Sequence, residues 1–386
     1  MIKSIYGFTT SRADFGILKY LYLSLEKDKL IDFKLIVSGS HFNKRLGNTY
    51  KEIERENFRN KKLITIKSSF NTNKNSINYM SLLMNQITDL FKSKLPDSII
   101  VLGDRYEMFA ITIVAHFYNI PIIHLHGGEL TFGSLDDAFR HSITKMSTIH
   151  FVSTQKYKKR IIQLGEKNTN VFNVGSLSCE QILNTKFISL DEINKKLKIN
   201  IDQPYFVVAY HPETKISIEQ NIYNMKILFN SLQQFTQIQF IFSFPNADPG
   251  NKFIIDKIIQ LTSGKHSNFF VIKNLGYFNF INLLKYSRGI IGNSSSGIIE
   301  APSLKIPTLN IGNRQNGREK AKTIYDCDFN KNNIIKLINK FMSANFLKRI
   351  KKFKNPYENK ETTNRIISII HKYDFKNTEI KKFYDL

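Results

Sequence analysis

A chain of 386 residues exceeds what one hydrophobic core usually serves, so two domains are expected. With 42% hydrophobic and 23% charged residues it can bury a sizeable core, which excludes a disordered chain. The net charge of +24 invites a polyanion-binding reading, but lysine is dispersed along the chain beside abundant Asn and Ile, so no nucleic acid partner is expected.

Cys179 and Cys327, without a CxxC pair, suggest neither a disulfide framework nor a zinc site. The opening MIKSIYGFTTSRADFG lacks the apolar core and cleavage site of a signal peptide. No stretch approaches the ~18 apolar residues of a membrane span, so no membrane partner is expected and the cytoplasm is the default location.

Short apolar runs alternate with longer amphipathic stretches. Strands are expected at Ser4–Phe8, Phe33–Ser38, Leu63–Ile66, Ser98–Leu102, Pro121–Leu125, Ile149–Ser153 and Val171–Val174. Helical patterns between them include Ala13–Lys27, Ser76–Lys92, Tyr106–Tyr118 and Gln155–Leu164. After a polar stretch near Asn184–Gln203 a second series begins, with strands at Tyr205–Tyr210, Gln239–Phe244, Phe269–Ile272, Gly289–Gly292 and Pro307–Ile311. Ser217–Gln234 and Lys252–Leu261 read as its helices. Continuous apolar strands alternating with helices predict an α/β protein whose parallel sheets are covered on both faces. The expected organisation is two Rossmann-like domains, 1–178 and 179–360, facing a cleft. Residues 361–386 form a tail with a helical pattern at Glu361–Lys372, able to pack back on the first domain.

Ligands in such sheets bind at the carboxyl ends of strands, and the chemistry-bearing residues lie there. Thr9–Asp14 follows the first strand; it reads as a phosphate-binding helix start with Arg12, or as a capping turn of Ser11 with Asp14 three residues on. Gly103-Asp104-Arg105 follows the fourth strand, as a catalytic carboxylate beside an anion-binding Arg, or with Asp104 as a helix N-cap. His124-Leu125-His126-Gly127-Gly128-Glu129 combines two glycines that permit close backbone approach with proton-transfer groups. Alternation points His124 away from His126, as a buried histidine satisfying backbone groups. Without a convincing third ligand the two histidines make a poor metal site.

Asp136 and Asp137 open the next helix, where either can serve the macrodipole, and Arg140, His141 and Lys145 follow on it. His211, after the first strand of the second domain, suits phosphate binding or acid–base work. Gly292-Asn293-Ser294-Ser295-Ser296-Gly297 forms a phosphate cradle without a Walker lysine, and Glu300 is placed to hold vicinal ribose hydroxyls. Arg314 and Arg318 sit on the last strand-end loop.

In this order, SRADFG, GDRYE, HLHGGE, DDAFRHSITKMS, HPET, GNSSSGIIEAPSL, GNRQNGR and the terminal FYD at Phe383–Asp385 span nearly the whole chain. Together they resemble the hydrolysing UDP-N-acetylglucosamine 2-epimerases of bacterial sialic acid biosynthesis. The resemblance implies a glycosyltransferase-B-like fold and conversion of UDP-N-acetylglucosamine and water to N-acetylmannosamine and UDP. It places Asp104 at the family's essential aspartate, Asp136 at its second acidic position and His211 at its cleft histidine. Arg12, Ser294, Ser295, Glu300 and Arg314 match UDP-holding positions; Arg105, Arg140, His141 and Gly297 are further candidates for binding the UDP-sugar. Many relatives carry Glu in place of His126, which leaves the acid–base role open between His126 and Glu129. The HxHGGE form is similar to the N-acetylglucosamine-specific branch, whereas HxEGGE includes relatives acting on a 2,4-diacetamido sugar.

No cofactor is implied, and relatives form dimers or tetramers. The implied route is loss of the C2 proton with departure of UDP, then hydration of the glycal. Crowding of Asp104, Glu129 and Asp136 is expected to raise at least one carboxyl pKa. The competing readings are a hydrolysing epimerase of a UDP-2,4-diacetamido sugar that feeds legionaminic-type acids, a non-hydrolysing epimerase, a glycosyltransferase and a non-catalytic polyanion-binding protein.

Overall fold

The computed structural model describes residues 2–43, 49–67, 72–132, 134–245, 251–263, 268–272, 275–378 and 381–385. The first domain runs β1 (Lys3–Thr9), α1 (Arg12–Lys27), β2 (Ile31–Val37), α2 (Tyr50–Glu54), β3 (Lys61–Leu63), α3 (Asn73–Ser93), β4 (Ser98–Leu102), α4 (Tyr106–Phe117), β5 (Ile122–Leu125), α5 (Asp136–Met146), β6 (Ile149–Val152), α6 (Gln155–Gln163) and β7 (Val171–Asn173). Two helices, α7 (Leu177–Asn184) and α8 (Leu190–Leu197), lead to the second domain. It comprises β8 (Tyr205–Ala209), α9 (Ile218–Leu232), β9 (Gln239–Ser243), α10 (Asn251–Thr262), β10 (Phe269–Ile272), α11 (Gly276–Tyr286), β11 (Ile290–Gly292), α12 (Ser295–Ile299), β12 (Thr308–Ile311), β13 (Ile324–Cys327), α13 (Lys331–Met342) and α14 (Ala344–Ile350); α15 (Thr362–Lys372) follows.

Each domain is a doubly wound parallel sheet. The orders are β3-β2-β1-β4-β5-β6-β7 and β10-β9-β8-β11-β12-β13. In both, the chain leaves the first strand towards one edge and later returns to its other side. The crevices at this switch lie between β1 and β4 and between β8 and β11, where ligands enter doubly wound sheets. The segments just after these strands carry Arg12, at the start of α1, and Asp104, His211 and Ser294. β4 and β8 are buried along their whole length, as Ile- and Val-rich strands covered on both faces should be.

Alternation along β1 splits its side chains between two layers: Ile5 joins Leu18, Leu21 and Val37 on one face, while Tyr6 and Phe8 join Ile36 and Val101 on the other. Ile366 and Ile370 of α15 belong to the first of these layers, so the last helix packs on the first domain. The Lys3 ammonium donates to the carbonyls of Ile370, His371 and Tyr373 at 2.6, 2.6 and 2.7 Å, capping that helix's C-terminus.

Two elements depart from the expectation. β3 lies at Lys61–Leu63 rather than Leu63–Ile66, because pairing with Leu35–Val37 sets its register; its three residues are exposed and only Leu63 is apolar. The edge strand β13 pairs with β12, and its sequence IYDC, with an outward Asp326, hides it.

Candidate active site

The turn after β1 is a capping box: Ser11 Oγ accepts the Asp14 N–H at 3.3 Å and Asp14 accepts the Ser11 N–H at 2.9 Å. Asp14 also accepts from Thr9 Oγ1, Thr10 N and Thr10 Oγ1 at 2.8 to 2.9 Å, which rigidifies the loop holding Arg12.

After β4, Gly103 adopts φ +72°, which turns the chain into Asp104. The buried His124 ring fixes this turn by donating Nε2–H to the Gly103 carbonyl at 2.8 Å. Burial pushes its pKa down to about 3, so the ring is neutral, the backbone-satisfying role expected for it. Asp104 is not an N-cap: Arg105 occupies that position of α4, and Asp104 instead pairs with the buried Arg140 of α5. Arg105 is a fork on Glu107, at 3.1 and 3.0 Å.

The glycine-flanked turn after β5 places His126 at φ +61°. Its Nδ1 donates to Glu129 Oε1 at 2.8 Å, the same oxygen that accepts from Ser153 Oγ at 3.0 Å. Arg140 joins these groups, donating to the His126 carbonyl at 3.1 Å and to Glu129 Oε2 at 3.5 Å. From the second domain, Arg318 Nη1 lies 2.8 Å from the same Glu129 oxygen. Crowding does not raise the Glu129 pKa. Burial alone would push it up, but Arg318, His126 and Arg140 outweigh this and hold the carboxyl well below the usual range. His126 Nε2 is buried without a hydrogen-bond partner among the described residues.

Asp136 begins α5 and accepts Ser134 Oγ at 2.8 Å, while Asp137 accepts the Thr131 N–H at 2.6 Å. His141 pairs with Asp137 at 3.8 Å and lines neither cleft cavity.

In the second domain Asn293 organises the strand ends. Its backbone carbonyl accepts Arg314 Nη1 at 3.3 Å and Gln315 Nε2 at 2.8 Å. Glu213, buried after His211, accepts the Asn313 N–H at 3.0 Å and so ties the Arg314 loop to the His211 loop. Ser294 caps α12 through the Ser296 N–H at 3.3 Å. Gly297 lines neither cleft cavity, and a Cβ there would stand 2.7 Å from Thr308 Cγ2.

Two cavities meet in the cleft. One, about 150 Å³, is lined by Asp104, Arg105, His126, Glu129, Asp136, Arg140, Arg314 and Arg318 among others. The other, about 120 Å³, is lined by Arg12, His211 and Ser294 to Ser296. They share Ala13, Ile17, Ser295 and Glu300, so one elongated ligand could occupy both. Burial raises the Glu300 carboxyl at this junction, and Ser296 and Ser178 hydrogen bonds counter it in part. Carboxylates and an imidazole at one end, with basic and hydroxyl groups at the other, suit proton transfer on one moiety and anion binding on the next.

Sequence reasoning missed the parts played by Arg318, Asn293, Gln315, Ser153 and Ser178. Arg318 and Asn293 stand in strings already singled out, but their partners are up to 189 positions away and no local period signals them.

Residues 23–371 match the family profile of UDP-N-acetylglucosamine 2-epimerase. The chain is 38% identical over 387 residues to polysialic acid biosynthesis protein P7 of Escherichia coli, covering 100% of this chain and 98% of that one. It is also 38% identical over 323 residues to a GDP/UDP-N,N'-diacetylbacillosamine 2-epimerase (hydrolyzing) of Campylobacter jejuni, covering 83% of each. The fold is similar to that of the UDP-GlcNAc 2-epimerase of Neisseria meningitidis crystallised with UDP-GlcNAc: the TM-score is 0.80 at 18% identity, over 96% of this chain and 100% of that one. The neighbouring structures share a glycosyltransferase-B-like architecture, and the chain belongs to the UDP-N-acetylglucosamine 2-epimerase family.

Proposed function

We propose that the protein is a hydrolysing 2-epimerase that converts UDP-N-acetylglucosamine and water to N-acetylmannosamine and UDP. The observation that carries the reading is the joined pair of cavities, with Asp104, His126 and Asp136 at one end and Arg12, His211 and the serine turn at the other. In this reading a base removes the C2 proton, the C–H electrons form the C1=C2 bond, and the C1–O bond to UDP breaks. Water then gives its oxygen to C1 and a proton to C2 on the opposite face. In this reading His126 and Asp104 transfer protons on the sugar, Asp136 serves the rehydration, and Arg12, Arg314, Ser294 and Ser295 hold the pyrophosphate. Glu300 holds the ribose.

The C. jejuni relative gives specific support to a second reading, hydrolysis of a UDP-2,4-diacetamido sugar. Incubation of the purified protein with each UDP-sugar, with products separated by chromatography, tests both. Free UDP with N-acetylmannosamine is expected, and Asp104→Asn should lower kcat by roughly 10²–10⁴-fold. UDP-N-acetylmannosamine as product would overturn the hydrolysing assignment; turnover of the diacetamido sugar alone would favour the second reading.

A further inference from the structure

Glu129 is fully buried, yet four side chains from separate elements converge on it: His126, Ser153, Arg140 and, from the opposite domain, Arg318. Tyr157, Tyr357, Asp104, Glu300, His124 and His141 are further titratable groups around this cluster. The carboxylate Oε1 can only accept, so the His126 nitrogen facing it carries the proton. In the neutral form of that ring Nε2 carries no proton, and this buried nitrogen of a cavity-lining residue has no hydrogen-bond partner among the described residues. Arg318 is itself anchored across the domain boundary. The N–H of Glu319 donates to Tyr157 Oη at 2.8 Å, Tyr357 Oη donates to the Glu319 carbonyl at 2.9 Å, and the two tyrosine hydroxyls lie 2.6 Å apart.

We propose that Arg318 is a positioning residue: by holding the Glu129 carboxylate from the second domain, it fixes the His126 tautomer that leaves Nε2 free to accept a proton from the substrate. This rests on the proton-transfer role assigned to His126 above. It also makes the proton acceptor a product of both domains, complete only where they pack through the Tyr157–Tyr357 clasp. The logic is that of an outer residue that orients a histidine through a carboxylate, where loss typically lowers activity 10- to 100-fold.

The test uses the full chain with ¹⁵N-labelled histidine, His126 being assigned by loss of its signal in His126→Gln. Long-range ¹H–¹⁵N correlation at neutral pH should show Nδ1 protonated and Nε2 bare in the native protein. Arg318→Gln should mix the tautomers and lower kcat roughly 10- to 100-fold while the KM for UDP-N-acetylglucosamine stays within about twofold, and Arg318→Lys should recover part of both. The acid limb of the kcat–pH profile should move upward in Arg318→Gln, because Glu129 then takes up a proton more readily. If Arg318→Gln does not fold, Glu129→Gln, of matching shape, should reproduce the tautomer mixing. An unchanged tautomer in the variants, or a raised KM with kcat preserved, would overturn the proposal, the latter by making Arg318 a substrate contact. A native protein that leaves UDP-N-acetylglucosamine untouched would count against the function proposed above, whereas the tautomer readout judges Arg318 independently.

Discussion

Asn293 grips the His211 backbone from both sides: its Oδ1 accepts the His211 N–H at 2.7 Å and its Nδ2 donates to the His211 carbonyl at 2.9 Å. The two residues lie at the ends of β11 and β8, the pair of strands flanking the switch crevice. Asn293→Ala would leave two buried backbone groups unsatisfied, at a cost of about 2–4 kcal/mol. A lower urea midpoint and weaker UDP binding by calorimetry are expected. Unchanged UDP affinity in a destabilised variant would show that His211 does not need this grip.

Gly297 packs closely against β12. A methyl group there would press on Thr308, whose hydroxyl donates to the Gly297 carbonyl at 2.6 Å. Gly297→Ala should cost about 1–3 kcal/mol of stability with little change in kcat/KM at a temperature where the variant is folded. A large loss of kcat/KM without destabilisation would return Gly297 to the ligand contacts.

The strands and the order of motifs were legible because parallel sheets covered on both faces demand unbroken apolar runs, and strand ends demand turn residues. Ser98–Leu102 and Phe269–Ile272 were read to the residue. The edge strands β3 and β13 were not, although the edge strand β10 was: Lys61–Leu63 and Ile324–Cys327 are held by pairing more than by burial, so their composition is mixed. Within the site, Ser11 with Asp14 and the aversion of His124 from the cleft followed from local spacing and alternation. The low pKa of Glu129 did not, because Arg318 arrives through tertiary structure from 189 positions away. Counting only the acids near His126 predicted repulsion where the fold supplies two arginines.

Acid should weaken the fold before it protonates most carboxylates. Burial pushes His124 down to about 3 and His41 down to about 4, so the folded chain refuses protons that unfolded histidine takes up near pH 6.5. Their contribution is whole above about pH 6.5 and declines as the pH falls toward 4, at about 1.4 kcal/mol per pH unit for each ring. Glu107 and Glu300, raised by burial, act in the opposite sense at the acid end. Urea midpoints measured between pH 7.5 and 4.5 should fall with acid, and His124→Gln should flatten the slope by one ring's share. A midpoint independent of pH in this window would contradict the neutral, buried rings.

The C-terminal tail is a structural clasp. Lys381 reaches Glu166 at 2.7 Å and donates to the Thr144 and Ser147 carbonyls at the end of α5, while Glu166 also meets Lys145 at 2.7 Å and His150 at 3.1 Å. The Phe383 ring covers Gly165. Lys381→Ala should lower stability by about 1–3 kcal/mol, since Glu166 keeps two other partners. Faster proteolysis of the tail and a lower melting temperature are the expected readings; an unchanged melting temperature would mean that the contact adds nothing net.

The central claim, elimination followed by hydration in the joined cavities, is tested most directly by turnover of UDP-N-acetylglucosamine in deuterated water, with proton NMR of the released sugar. The account predicts N-acetylmannosamine carrying deuterium at C2 together with free UDP. N-acetylmannosamine that keeps its C2 proton would contradict the route.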